Sequence, residues 1–457
     1  VADAGTQTTT PPVRPRPRWW RRCLRWLLVL TLVAGVAVWI LLVMADRELR
    51  QAVADADRLD PGWRYEDLEK KRAAIAEEEN SALQVLAVAK LLPSPWPPTP
   101  SPTGVKDLVL DKILIDPSTR LDDQQIEALH AALEAAKPAL TQARKLAAMS
   151  RGRYPMHFDG HGLPVFGTNR QAIQTVSTLL AYDALRHSLD GEADAALESC
   201  RALMNLVRSV GDQPEEFFQM YRMRLRGEAC RIIEACLERG KASPAALASL
   251  QKVLEDEEAD PAFLHGARGF RAWTDQIMEV AKSGDAPTRG PERILVMGLA
   301  RSARGEILRA NNRLVEIAKL PVEDHAEALK VTMPKEEDLS ILGRIYLLPK
   351  LQKLTHDLAT GQIESQAELR CAITAIAAER YRQRHGRWPA AAAALVPEQL
   401  GAVLLDPFDG QPLRIRQIVR GRLIYSVGPD RADSGGTIDR SQANATGTDL
   451  GFGVREK

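Results

Sequence analysis

Between Leu27 and Ala45 the chain reads LLVLTLVAGVAVWILLVMA, nineteen positions without a charged residue. At the helical rise of about 1.5 Å per residue this stretch spans roughly 28 Å, close to the hydrocarbon thickness of a bilayer. The reading is one transmembrane helix, with the lipid bilayer as its partner. Arg14, Arg16, Arg18, Arg21, Arg22 and Arg25 precede it and Asp46 follows it. The positive-inside rule therefore predicts a cytoplasmic N-terminus and a periplasmic or equivalent extracytoplasmic location for everything beyond residue 46. Trp19, Trp20, Trp26 and Trp39 suit interfacial anchoring. The competing reading is a cleaved signal peptide, which wants a shorter apolar region and a small-x-small site. Here apolar sequence continues past Ala34, Gly35 and Ala37 to Met44.

Working outward, residues 1–26 form a basic tail of charge +5, polar and disordered in expectation, and the rest of the 457-residue chain carries −4. A body so nearly neutral has no electrostatic footprint for phosphates, which excludes nucleic acid as a partner. Residues 46–360 read as a helical body, and residues 361–457 change character. The expected fold class is mainly α: an N-terminal transmembrane helix, a helical hairpin or bundle body, and a small C-terminal α+β module.

Within the body, Glu66 to Leu92 reads as a helix. Pro93 to Pro102 holds six prolines in ten residues and is expected to be an extended spacer or exposed loop. Ile126, Leu129, Leu133, Ala136, Leu140, Ala143 and Ala147 alternate steps of three and four, the mark of one helix face, with Pro138 expected to kink or divide it. Thr168 to Pro214 reads as two helices about a turn at Asp190 and Gly191, like one degenerate tetratricopeptide-type hairpin. Phe218, Tyr221, Leu225, Ala229, Ile232 and Cys236 define a further helix whose first turn holds Glu215 and Glu216. Val296, Ala300, Ala303, Ile307, Ala310, Leu314 and Ile317 define another, suited to a bundle or, alternatively, a coiled-coil seam. After residue 361 a helix runs from Ile363 to His385 and stops at Gly386 and Pro389. Alternation around Leu413, Ile415 and Gln417, a turn at Arg420 and Gly421, and Leu423 to Val427 predict a β-hairpin.

Three C-terminal elements carry a resemblance. Tyr381, Gly386, Trp388 and Pro389 form the first, Asp406, Pro407, Gly410 and Pro412 the second, and Tyr425, Ser426, Gly428, Asp430, Gly435 and Gly436 the third. In this order, over about residues 365–440, they resemble the C-terminal half of the major pseudopilin of type II secretion systems. That resemblance implies a helix packed on a small sheet, partners among envelope or secretion-system proteins, and a calcium-binding loop. Its metal ligands would be Asp430 and Asp433, with Asp439 more distant. The chain departs from the family in its apolar segment, which lies more than 300 residues upstream and contains no acidic residue. The whole chain is also similar to planctomycete membrane-anchored helical proteins, including Glu79–Asn80–Ser81–Ala82 and Gly211–Asp212–Gln213–Pro214. This second resemblance implies no particular activity.

Catalytic chemistry has little to stand on. The loop Tyr154–Pro155–Met156–His157–Phe158–Asp159–Gly160–His161–Gly162 offers two imidazoles and a carboxylate to zinc but no fourth ligand, and is otherwise a turn using its glycines. No nucleophile elbow, zincin helix, phosphate-binding glycine loop or dinucleotide fingerprint is present. Cys200, Cys230, Cys236 and Cys371 are open to two readings, a Cys200–Cys230 pairing or buried small side chains. Three functions follow: a non-enzymatic membrane-anchored scaffold or interaction protein as the leading one, a calcium-binding pseudopilin-like module, or a hydrolase using the His157 loop.

Overall fold

The computed structural model describes residues 19–97, 108–160, 163–165, 169–283, 291–332, 348–442 and 445–455. The helices are α1 (Trp19–Leu59), α2 (Tyr65–Lys71), α3 (Ser81–Leu91), α4 (Leu108–Ile115), α5 (Asp123–Ala135), α6 (Lys137–Ala143), α7 (Arg170–Leu189), α8 (Ala193–Arg208), α9 (Glu216–Arg239), α10 (Pro244–Glu258), α11 (Ala262–Ser283), α12 (Pro291–Ile317), α13 (Val322–Thr332) and α14 (Leu348–His385). Three strands, β1 (Arg414–Ile418), β2 (Gly421–Ser426) and β3 (Leu450–Arg455), form one antiparallel sheet in the order β1-β2-β3. The chain is mostly helical with a small sheet, as its periodicities predict.

Helix α1 does not stop at the end of the apolar run. Its 41 residues continue to Leu59, and the side chains from Leu24 to Met44 are largely exposed while Ala45, Ala52 and Ala56 are buried. It is the one helix among the described residues long and apolar enough to cross a membrane.

The single helix expected over Glu66 to Leu92 is instead two helices with a short 3-10 turn, Glu77–Glu79, between them. Helix α2 ends at Lys71, where Arg72 turns extended (ψ 141°), and α3 restarts behind Asn80, whose side chain accepts from the Ala82 N–H at 3.1 Å. An Asn at this position satisfies an orphan amide of the new helix, so the break has a local cause. Pro138 separates α5 from α6 and sits in the first turn of the second, where its missing N–H costs nothing. The proline-rich stretch also differs from expectation in its described part. Trp96 is buried, packs on Tyr182 with ring centroids 5.9 Å apart, and donates Nε1–H to the Ala132 carbonyl at 3.4 Å.

The α7–α8 hairpin turns at Gly191 (φ 79°), and α9 packs against both helices. Helix α14 lies on α9 and α10 on one side and carries β2 and β3 on the other. Residues 360 and 361, where the module was expected to begin, both fall inside α14, and Leu369, Ile373, Ile424, Phe452 and Val454 share one apolar core with Leu180, Leu203 and Ile233. Third-strand partner β3 is absent from the sequence reading, because its Gly-interrupted LGFGVR lacks the β-branched alternation that marks a strand. Around the sheet, Leu413, Leu423 and Tyr425 are buried, whereas Trp388 and Ile415 are partly so. Helices α11 and α12 pack as a second unit, with α1 laid along α12.

Candidate functional site at the anchor-to-body junction

The side chains that fasten α1 to the body come from its last four turns. Ala45, Ala52 and Ala56 follow a helical stripe, with Leu49 and Val53 beside them, and their small size lets α12 approach. A Cβ added to Gly305 of α12 would come within 2.8 Å of the Leu49 nitrogen. Around this apolar seam stand ion pairs from Asp46 to Arg301 at 2.7 Å and from Glu48 to Arg309 at 3.0 Å. Asn312 donates Nδ2–H to the Ala52 carbonyl at 2.9 Å. Just past the helix, Asp60 accepts from Arg268 at 2.6 Å and from the fully buried Arg271, whose guanidinium also lies 5.4 Å from the Trp63 ring centroid. Burial alone would raise the Asp60 carboxyl, but the hydrogen bonds from Arg268 and Arg271 hold it below its ordinary range.

Behind this clasp is a cavity of about 190 Å³ lined by Asp60, Lys71, Arg72, Asp212, His265 and Arg268 among others. Arg72 pairs with Asp212 at 3.1 Å and Glu69 at 3.0 Å. Burial pushes His265 down, toward the neutral imidazole. The charged side chains that line the cavity are Lys71, Arg72 and Arg268 against Asp60 and Asp212.

The 211–215 loop beside it and the first turn of α9 are less well balanced. A Cβ on Gly269 would overlap the Pro214 carbonyl, so α11 is pressed directly on this loop, and Tyr65 donates to the same carbonyl at 3.3 Å. Both carboxyl oxygens of Glu216 lack a hydrogen-bond partner on another residue, as does Oε1 of Glu215. Burial raises the Glu215 carboxyl to about 7 and the Glu216 carboxyl to about 8. These two groups escaped the sequence reading, where acidic residues in a first helical turn are simply favourable to the helix dipole.

The residues singled out in the sequence lie elsewhere. Asp430 accepts from the N–H groups of Ala432 at 3.0 Å and Gly447 at 2.7 Å, and Asp433 from Gly435 N–H at 2.8 Å and the Tyr425 hydroxyl at 3.1 Å. Asp439 accepts from Ser441. Asp449, which sequence reasoning missed, is almost fully buried and takes the N–H groups of Ser434, Gly436 and Thr437. At Asp430 both oxygens take an N–H group, whereas at Asp433 and Asp439 the donors fall on one oxygen. Among the described residues no group of three or more His, Cys, Asp or Glu side chains is arranged to hold a metal ion. His157 is exposed in a loop closed by the Leu163 N–H to Asp159 bond at 2.9 Å, and His161 lies outside the described residues. The four body cysteines are buried thiols, and the neighbour of Cys200 is Cys236, Sγ to Sγ 3.9 Å, rather than Cys230.

No family model, curated protein or solved structure matches the chain.

Proposed function

We propose that this protein is a single-pass, membrane-anchored scaffold whose helical body stands on the extracytoplasmic side and works by interaction rather than catalysis. The observation that carries this reading is the division of α1 into an exposed apolar half and a half clamped to α12 through Asp46, Glu48 and Asn312, with Asp60 just past its end held by α11. An anchor followed by a flexible linker would let the body swing freely. A continuous helix buried along α12 instead holds the body at one height and angle over the bilayer, as a platform requires. Envelope or secretion-system proteins are the partners we propose, on the resemblance of the C-terminal motifs. The test is a pair of reporters fused after Lys457, one active only in the cytoplasm and one only outside it. Activity of the external reporter alone, in the membrane fraction, supports the proposal, and cytoplasmic activity overturns it.

A further inference from the structure

A cleft of about 870 Å³ opens where the loop of the β1–β2 hairpin meets the C-terminal ends of α7 and α9 and the segment leading to α5. Its volume lies in the range of small-molecule sites. Four arginines line it, Arg120, Arg239, Arg420 and Arg455, against one carboxylate, Glu238. Glu238 pairs with Arg455 at 3.2 Å. The Arg239 guanidinium donates to the carbonyls of Pro117 at 3.0 Å, Ala235 at 2.6 Å and Thr119, which fastens the wall without cancelling the charge. Arg120 and Arg420 are exposed, and neither has an ion pair with a described carboxylate. The cleft therefore keeps an excess of positive charge between protein walls, a geometry that concentrates anions.

Arg420 adds an independent observation. Ile418 pairs with Gly421, so Val419 and Arg420 are the two loop residues of the hairpin. Arg420 has φ 55°, a left-handed conformation that normally falls to Gly or Asn because a Cβ is strained there. Val419 beside it is 85% exposed, so apolar packing does not hold the loop. Backbone strain is thus kept at a residue whose side chain lines the cleft, as is common where strain serves a site.

We infer that this cleft binds a small ligand bearing two or more oxyanion groups, carboxylate or phosphate, gripped by Arg120 on one element and by Arg420 and Arg455 on another. Guanidinium groups suit this class because their planar N–H pairs match both oxyanions. The inference does not depend on membrane anchoring.

Calorimetric titration of the full chain in non-ionic detergent with citrate and with pyrophosphate tests it. Binding of either probe, weakening as salt is raised, is expected, and the probe preferred tells carboxylate from phosphate. The Arg120→Ala/Arg420→Ala double variant should bind roughly tenfold or more weakly. Arg420→Gly should also bind more weakly, yet melt no lower than wild type, since Gly relieves the left-handed backbone. Failure of both probes to bind at low ionic strength overturns the site. So does a double variant that binds like wild type, which would reveal diffuse surface attraction. An Arg420→Gly protein that melts lower with unchanged affinity would make Arg420 a hairpin residue and remove it from the site.

Discussion

The Asp60 carboxylate meets the Arg268 guanidinium at 2.6 Å across 208 residues of sequence, and Arg271, close by on the same helix, reaches the same carboxylate. This one acid is shared by two guanidinium groups, one of them fully buried. Asp60→Asn should cost about 3 kcal/mol, because the charge of Arg271 is then left uncompensated in the interior. The folded-state carboxyl lies below its ordinary 3.8, so its contribution is present above that value and is lost as pH falls through the folded value. Chemical denaturation at pH 7 and again below pH 3.8 measures both effects. A variant as stable as wild type at pH 7 would show that the clasp contributes nothing.

Gly305 sets how closely α1 approaches α12. Gly305→Val places methyl groups against the Leu49 backbone and should destabilise this seam by roughly 1–3 kcal/mol, as overpacking does. Limited proteolysis should then cut between residues 46 and 60 at much lower protease concentration, while the distant α7–α8 hairpin stays resistant. Unchanged cleavage in that segment would mean that the two helices separate at no cost.

Glu216 should make the body less stable as pH rises. Its folded-state value of about 8 stands above the ordinary 4.5, so the folded chain holds a proton that the unfolded chain has released. Stability from this group is full below 4.5, falls through the interval up to about 8, and is flat beyond. Glu216→Gln should flatten that slope and raise the melting temperature at pH 9 relative to wild type by several degrees, with little change at pH 5. Glu215, raised to about 7, leaves a smaller residual slope in the variant. Melts recorded across this range decide it, and parallel curves for the two proteins would remove Glu216 from the account.

Asp406 ties the sheet together. Fully buried, it accepts from Phe408 N–H, Val427 N–H and the Ser426 hydroxyl, and pairs with Arg414 at 2.8 Å. Asp406→Ala leaves the Phe408 and Val427 N–H groups and the Ser426 hydroxyl without this acceptor, Arg414 keeping only Asp409, and should cost about 3 kcal/mol or more. Because the sheet shares a core with α9 and α14, we expect one cooperative transition at lower temperature. A separate early transition of the C-terminal region alone would show that it folds as its own unit.

The apolar span of α1, the helices α7, α8, α9 and α12, the break at Pro138 and the hairpin around Arg420 are legible in the residues alone. Each rests on local physics: helical or strand periodicity, a missing proline N–H, a short turn between apolar runs. Which charges meet is set by packing. Asp46 faces Arg301, Asp60 faces Arg268 and Arg271, and Arg120 shares a cleft with Arg420 and Arg455, all across spans that no periodicity encodes. Glu215 and Glu216 look like ordinary helix-start acids until the fold buries the start of α9. The resemblance marks Asp430 and Asp433 as ligands, and only the fold shows that both carboxylates accept N–H groups from their own loop. Desolvation and pairing energies depend on what surrounds a group in space, and that is set by packing between segments distant along the chain.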